Sequence, residues 1–212
     1  MNYFPVNLNL KEKHCFIIGG GKVAERKVLN LIEYTDKITV ISDKFSEKLL
    51  NLQNKITLIH DKYNKKYLKK HSLIFICTNS KKLNEKVYYD AKELNCLVNV
   101  VTHPQLCDFT IPSVIRRGDL KIAISTNGKS PAIAKIVKTK IDKCIEKEYE
   151  ELINIMGKIR EKQLTINETS DINRELFYKF IDTNVLNDIK NRNRDAINAK
   201  IEKIFGFSLD GF

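Results

Sequence analysis

His14-Cys15-Phe16-Ile17-Ile18-Gly19-Gly20-Gly21-Lys22-Val23-Ala24-Glu25-Arg26-Lys27 is the stretch that decides the fold. His14 to Ile18 is a short apolar run and reads as a buried strand. The glycines end it, and Ala24, Val28, Leu31 and Ile32 then recur at helical spacing from about Val23 to Tyr34. Gly19 to Ala24 fits the pattern GxGxxG/A in its required setting, after a strand and at the opening of a helix. Gly19 permits the tight turn. Gly21 lets the backbone approach a pyrophosphate with no Cβ in the way, and Ala24 lets the helix pack close to the sheet. The first helical amides, at Lys22 and Val23, offer N–H groups and partial positive charge to phosphate oxygens. An acid is expected about 20 residues further on, and Asp43 stands there. Its carboxylate suits ribose hydroxyls and favours NAD over NADP, while Lys44 beside it tolerates a 2′-phosphate. The competing reading is a turn of glycines followed by a surface aspartate.

Outward from this motif, strands and helices alternate. Lys37–Ile41, Ile56–Ile59, Leu73–Cys77 and Leu97–Val101 read as strands, and Leu83, Val87, Ala91 and Leu94 mark a helix. Such alternation implies a parallel sheet covered by helices on both faces. Thr78-Asn79 falls at the carboxyl edge of that sheet, where open α/β sheets bind ligands. These side chains either face a cofactor or cap the helix that begins near Lys81.

The pattern changes near Pro112. Thr110–Arg116 and Leu120–Ser125 read as two strands joined by Arg117-Gly118-Asp119. Ser130 before Pro131 fits an N-cap followed by a proline at the first helical position. A long helix is expected from there, with Ile133, Ile136, Val137, Ile141, Cys144, Ile145 and Leu152 as its apolar stripe. Further stripes follow at Ile172, Leu176, Phe177 and Phe180, then at Leu186, Ile189, Ala196, Ile197, Ile201 and Ile204. Thr165–Ser170 and Asp182–Asn184 are the expected breaks.

Composition narrows the class. The chain has 212 residues, 42% hydrophobic and 30% charged, a globular rather than disordered profile. No apolar run approaches the roughly 20 residues of a membrane span, and Met1–Leu10 lacks the order of a secretory leader. The net charge of +11 raises the question of nucleic acid. The excess lysines are scattered rather than gathered into a basic arm, and an anionic small molecule explains them as well. Five cysteines, Cys15, Cys77, Cys96, Cys107 and Cys144, are far apart, with no CxxC pair. That points to a reducing cytoplasm without disulfides or structural zinc.

The segment Ile18 to Lys27 resembles the opening motif of precorrin-2 dehydrogenases, which include the N-terminal module of siroheme synthase and stand-alone forms. Phe4-Pro5-Val6, Asn99-Val100-Val101, Phe109-Thr110-Ile111-Pro112-Ser113 and Ile124-Ser125-Thr126-Asn127-Gly128-Lys129-Ser130-Pro131 agree with the same family. The resemblance covers nearly the whole chain. It implies a Rossmann domain over 1–112, a small α+β dimerisation segment over 113–150 and a helical domain over 151–212. It also implies a homodimer, and no fused methyltransferase module is expected. The implied reaction is NAD-dependent oxidation of precorrin-2 to sirohydrochlorin, and some members then insert ferrous iron to give sirohaem. Precorrin-2 carries many carboxylates, so Arg116, Arg117, Lys121 and Lys129 are candidate substrate contacts, or else the solvated face of a hairpin. Thr126, in a loop where relatives carry a serine that can be phosphorylated, is another candidate, with Ser125 beside it.

One position departs from the family. The acid that follows Asn-x-x at the end of the fifth strand is Thr102 here. A threonine hydroxyl is no general base at neutral pH. His103 or Asp108 takes its place, or no residue does and hydride transfer relies on positioning. Chelation must remove two pyrrole protons, so it is expected to suffer more than dehydrogenation. No metal-ligand set is evident in the sequence. The rival reading is a module that senses NAD without catalysis.

Overall fold

The first strand is buried from end to end, and its neighbours explain why. In a computed structural model, which describes residues 3–166 and 174–209, the first half forms one sheet. Its strands are β1 (Cys15–Ile18), β2 (Ile38–Ser42), β3 (Thr57–His60), β4 (Leu73–Ile76) and β5 (Leu97–Val100). They lie in the order β3-β2-β1-β4-β5, and all pairs are parallel. The order reverses between β1 and β4, the topological switch point where such sheets bind ligands.

Alternation along each strand divides the apolar side chains between two cores. Cys15, Ile17, Val40 and Phe75 pack with Ala24, Val28 and Leu31 of α1 (Lys22–Leu31) and Leu49 of α2 (Glu47–Leu50). Phe16, Ile18, Ile74 and Ile76 pack on the other face with Val87 and Ala91 of α3 (Lys81–Glu93). Each Val, Leu, Ile or Phe among them, fully buried, stabilises by roughly 1.5–3 kcal/mol relative to exposure. Cys15 and Cys77 behave here as small hydrophobes, and burial pushes both thiols up to about 11.

The chain divides into two compact units, residues 1–111 and 112–212. The second opens with a hairpin of β6 (Ser113–Arg117) and β7 (Leu120–Ile124). Arg117 pairs with Leu120, so the turn is only Gly118-Asp119, with Gly118 at φ +57°. The expected strand ends are thereby shifted by a few residues.

The single long helix expected from Pro131 is two helices. α4 (Pro131–Cys144) stops where Ile145 becomes extended, and α5 (Glu148–Ile166) starts afresh. Arg117 explains the stop. Its Nε donates to Ile145 O at 3.0 Å, and one Nη donates to Asp142 O at 3.0 Å, capping carbonyls the helix end leaves open. Leu152 therefore belongs to α5 and to the helical core with Ile155, Ile159 and Phe180. The acids Glu148, Glu150 and Glu151 in its first turn were the sequence signal for this new start.

α6 (Arg174–Ile181), α7 (Val185–Lys190) and α8 (Arg194–Phe205) complete the second unit. The stripe from Leu186 to Ile204 is split between α7 and α8 because Arg192 takes φ +55° and Asn193 caps α8. The expected break at Asp182–Asn184 coincides with Asn184 at φ +61°. Ile172 and most of the expected break at Thr165–Ser170 lie outside the described residues. Among the described residues, no helix is long and apolar enough to cross a membrane.

Candidate dinucleotide site

The carboxyl ends of β1, β2 and β4 surround a cavity of about 750 Å³. Gly19, Gly20, Gly21 and Lys22 form one wall, Asp43 and Lys44 another, and Thr78 and Asn79 a third. The three glycines do different work. Gly19 has φ +110°, and a Cβ there would lie 2.9 Å from Cys77 O. Its own amide donates to Ile41 O at 2.9 Å, holding the turn to the next strand.

Gly20 faces inward. A Cβ on it would collide with the Lys44 carbonyl oxygen and approach Ser42 Oγ to 2.9 Å. Its carbonyl accepts from Ser46 N–H at 2.8 Å, and Ser46 Oγ donates to Glu25 at 3.0 Å. The glycine turn and the loop after β2 are thus one stapled unit. Sequence reasoning assigned roles to Gly19 and Gly21 and missed Gly20. The pattern treats that position as free, and only the neighbouring loop shows otherwise.

Gly21 is the opposite case. A Cβ on it would meet no protein atom within 4 Å. It is the N-cap of α1, and no side chain occupies the cap. The first intrahelical bond runs from Glu25 N–H to Gly21 O at 3.0 Å, so the amides before it have no intrahelical acceptor. Open space, orphan donors and a helix dipole meet at one place, which fits a pyrophosphate. Lys22 lines the cavity, while the Val23 side chain is half-buried in α1 and Val23 can contribute only its amide. Asp43 and Lys44 are both exposed at the cavity wall. Cys77 also lines it, and as a thiol kept neutral by burial it is a wall rather than a nucleophile.

The helix cap expected at Thr78-Asn79 lies one residue further on. Ser80, not Thr78, caps α3, accepting from Leu83 N–H at 3.3 Å. Thr78 Oγ1 donates to Asn84 Oδ1 and accepts from Ser80 N–H at 3.2 Å. Asn84, on α3 and 1% exposed, also donates to Thr78 O and to Thr102 Oγ1, both at 3.1 Å. Thr102 Oγ1 in turn lies 2.8 Å from His103 Nδ1. Thr78 at the cavity edge and the Thr102-His103 pair after β5 are therefore joined through one buried amide. Sequence reasoning missed Asn84 as well. Its signal was a polar residue set beside Leu83, one turn before Val87, in an otherwise apolar stripe.

Asp108 is not brought to this network. Its carboxylate is paired with Lys92 at 2.8 Å and accepts from Val98 N–H at 2.9 Å. Its own amide donates to Val98 O, so it lies toward the amino end of β5, while the cavity is at the strands' carboxyl ends. The structure thus gives the Asp108 carboxylate partners other than the Thr102-His103 pair. Asn99 is likewise structural, its Nδ2 donating to Phe109 O at 2.9 Å.

The substrate candidates fall in the second unit. Arg117 is committed to capping α4 and bonds Asp142 at 3.1 Å. Arg116 and Lys121 face one another in the hairpin register. Thr126 Oγ1 donates to Ser130 O at 3.0 Å and accepts from Ser130 N–H at 3.2 Å. Its hydroxyl proton is spent on closing the loop, and a single lone pair is left for a ligand. Ser125 Oγ accepts from Asn127 N–H at 3.2 Å. Lys129 is exposed in the same loop. Among the described residues, no three His, Cys, Asp or Glu side chains gather as a metal centre would require.

Comparison with known proteins bears on this geometry. Residues 6–113 match the family model described as putative NAD(P)-binding, and residues 117–143 match the central segment of sirohaem biosynthesis proteins. The chain belongs to this putative NAD(P)-binding family. A siroheme synthase of Vesicomyosocius okutanii is 34% identical over 165 residues, 76% of this chain and 35% of that protein. One from Nitrosomonas europaea is 33% identical over the same shares. One from Thioalkalivibrio sulfidiphilus is 29% identical over 99% of this chain and 43% of that protein. The chain thus spans less than half the length of these relatives. A solved structure described as SirC, a precorrin-2 dehydrogenase, shares the fold with TM-score 0.74 at 22% identity, covering 97% of this chain and 100% of that one.

Proposed function

We propose that this chain oxidises precorrin-2 to sirohydrochlorin with NAD, one hydride passing to the dinucleotide and one proton to solvent. The observation that carries the reading is the open, uncapped Gly21 turn beside Asp43, in a chain whose next segment matches sirohaem biosynthesis proteins. When bound there, the dinucleotide supplies a nicotinamide that accepts hydride. The amides at Lys22 and Val23 would hold its pyrophosphate, and Asp43 its ribose hydroxyls, which favours NAD over NADP. Lys44, Thr78 and Asn79 border the same cavity. Arg116 and Lys129 remain the candidate partners for substrate carboxylates, with the Thr126 lone pair a weaker one.

Iron insertion is proposed to be weak or lost. As ferrous iron enters, sirohydrochlorin must release two pyrrole protons to an acceptor, and Thr102 offers no carboxylate while Asp108 is tied to Lys92. The same substitution supports a second reading, an NAD-sensing module without catalysis. We further propose a cytoplasmic homodimer that docks through residues 113–150, with residues 151–212 as a helical domain. Ile133 and Ile136 on α4 are 55% and 57% exposed and need a cover. The five cysteines are free thiols, which suits a reducing compartment.

Anaerobic turnover of precorrin-2 with NAD, followed by sirohydrochlorin absorbance, tests the reading. Product that stops at sirohydrochlorin after ferrous iron is added supports it. Conversion to sirohaem overturns the chelation claim. NAD binding without turnover favours the sensing module.

A further inference from the structure

The Asn84 side chain can be oriented from its partners alone. Thr78 O is an obligate acceptor, so the Asn84 atom 3.1 Å from it must be the amide nitrogen. Oδ1 then faces the Thr78 hydroxyl, which donates to it. The second hydrogen of Nδ2 points at Thr102 Oγ1, also at 3.1 Å. Thr102 Oγ1 accepts there and keeps one hydrogen and one lone pair for His103 Nδ1, 2.8 Å away; donating the hydrogen uses it within the protein. A ring nitrogen that accepts a hydrogen bond carries no proton in neutral imidazole, and the proton resides on Nε2. Asn84 is 1% exposed, which shields its own bonds from water, while Thr102 stands at the surface.

We propose that Asn84 is a positioning residue that, through Thr102, holds neutral His103 as its Nε2–H tautomer, making it a hydrogen-bond donor to an anionic group of the substrate rather than a proton-accepting base. The proposed tautomer is the one in which the Thr102 hydrogen finds its acceptor inside the protein. The anionic target rests on the function proposed above, where the substrate is a polycarboxylate. The oxidation does not require a base at this position, since the proton that accompanies hydride loss passes to solvent.

The tautomer is read without substrate from the ring ¹⁵N shifts of His103, assigned with His103→Gln, at a pH where the ring is neutral. The expected result is a pyridine-type Nδ1 and a pyrrole-type Nε2 in the native protein and in Thr102→Ser. In Thr102→Val, an exposed position that leaves the core intact, the two tautomers should mix. A pyrrole-type Nδ1 in the native protein, or an unchanged pattern in Thr102→Val, overturns the inference. Asn84→Asp, checked for folding by circular dichroism, should reverse the tautomer, because a carboxylate would draw the Thr102 hydroxyl to itself. If Asn84→Asp fails to fold, the threonine pair still decides.

In turnover, His103→Ala should raise KM for precorrin-2 about tenfold with a smaller change in kcat. His103→Gln, whose amide keeps a donor but cannot take up a proton, should recover most of that loss. Equal loss of kcat in both variants would make His103 a base and sink the proposal. Absence of turnover with the expected ¹⁵N pattern would instead defeat the proposed oxidation and the anionic target, and leave the role of Asn84 standing.

Discussion

The parallel sheet and the β6–β7 hairpin are built from strands of similar length and meet different fates. β1 and β4 are buried at every residue, whereas the hairpin of β6 and β7 buries only Ile115. In the parallel sheet, odd and even side chains each have a helix layer to pack against. The hairpin has α4 packed on it, and α4 leaves Ile133 and Ile136 uncovered. A core closed on both faces is self-sufficient. An open one is a surface that looks for a partner, which is how this chain is proposed to dimerise.

The sharpest break of that contrast is within the glycine turn of the closed region. Gly20→Ala should cost about 3 kcal/mol, because its Cβ would have to displace the Lys44 backbone as well as crowd Ser42. Gly21→Ala, one residue on, should leave stability within about 0.5 kcal/mol yet lower NAD affinity tenfold or more. Thermal denaturation and titration calorimetry read the two effects. Equal destabilisation by both would remove the distinction between an inward and an open glycine.

In the open region, Ile136→Glu should weaken dimerisation by about 2 kcal/mol, roughly thirtyfold, with the monomer still folded. Sedimentation across a concentration series measures it, and an unchanged association constant would show that α4 is not the docking face. Arg117→Met should cost about 1–2 kcal/mol, since it leaves the carbonyls at the end of α4 unpaired. Urea denaturation measures that loss. The smallest effect belongs to Lys92→Met, below about 1 kcal/mol, because the Lys92 side chain is 41% exposed and its pair with Asp108 is partly solvated. A large loss of turnover in that variant would return Asp108 to the list of catalytic candidates.

The sequence determined the parallel sheet and the glycine turn, because both depend on local patterns. Apolar runs bounded by glycine and a 3.6-residue stripe after them fix strand, turn and helix within a few residues of chain. It also placed Asp43 at the spacing expected of such an acid, and the fold sets that residue at the cavity wall. Tertiary structure decided the rest. Arg117 ends α4 by reaching carbonyls far along the chain, so no periodicity within 131–152 predicted the break. Asp108 has the right residue type and the right neighbourhood in sequence, but the chain turns back along β5 and gives its carboxylate to Lys92. Gly20 and Asn84 matter through what packs against them, a carbonyl from the next loop in one case and Thr102 in the other. Hydrogen bonds and steric contacts between distant segments carry no signature in either segment alone, so only the folded chain reveals them.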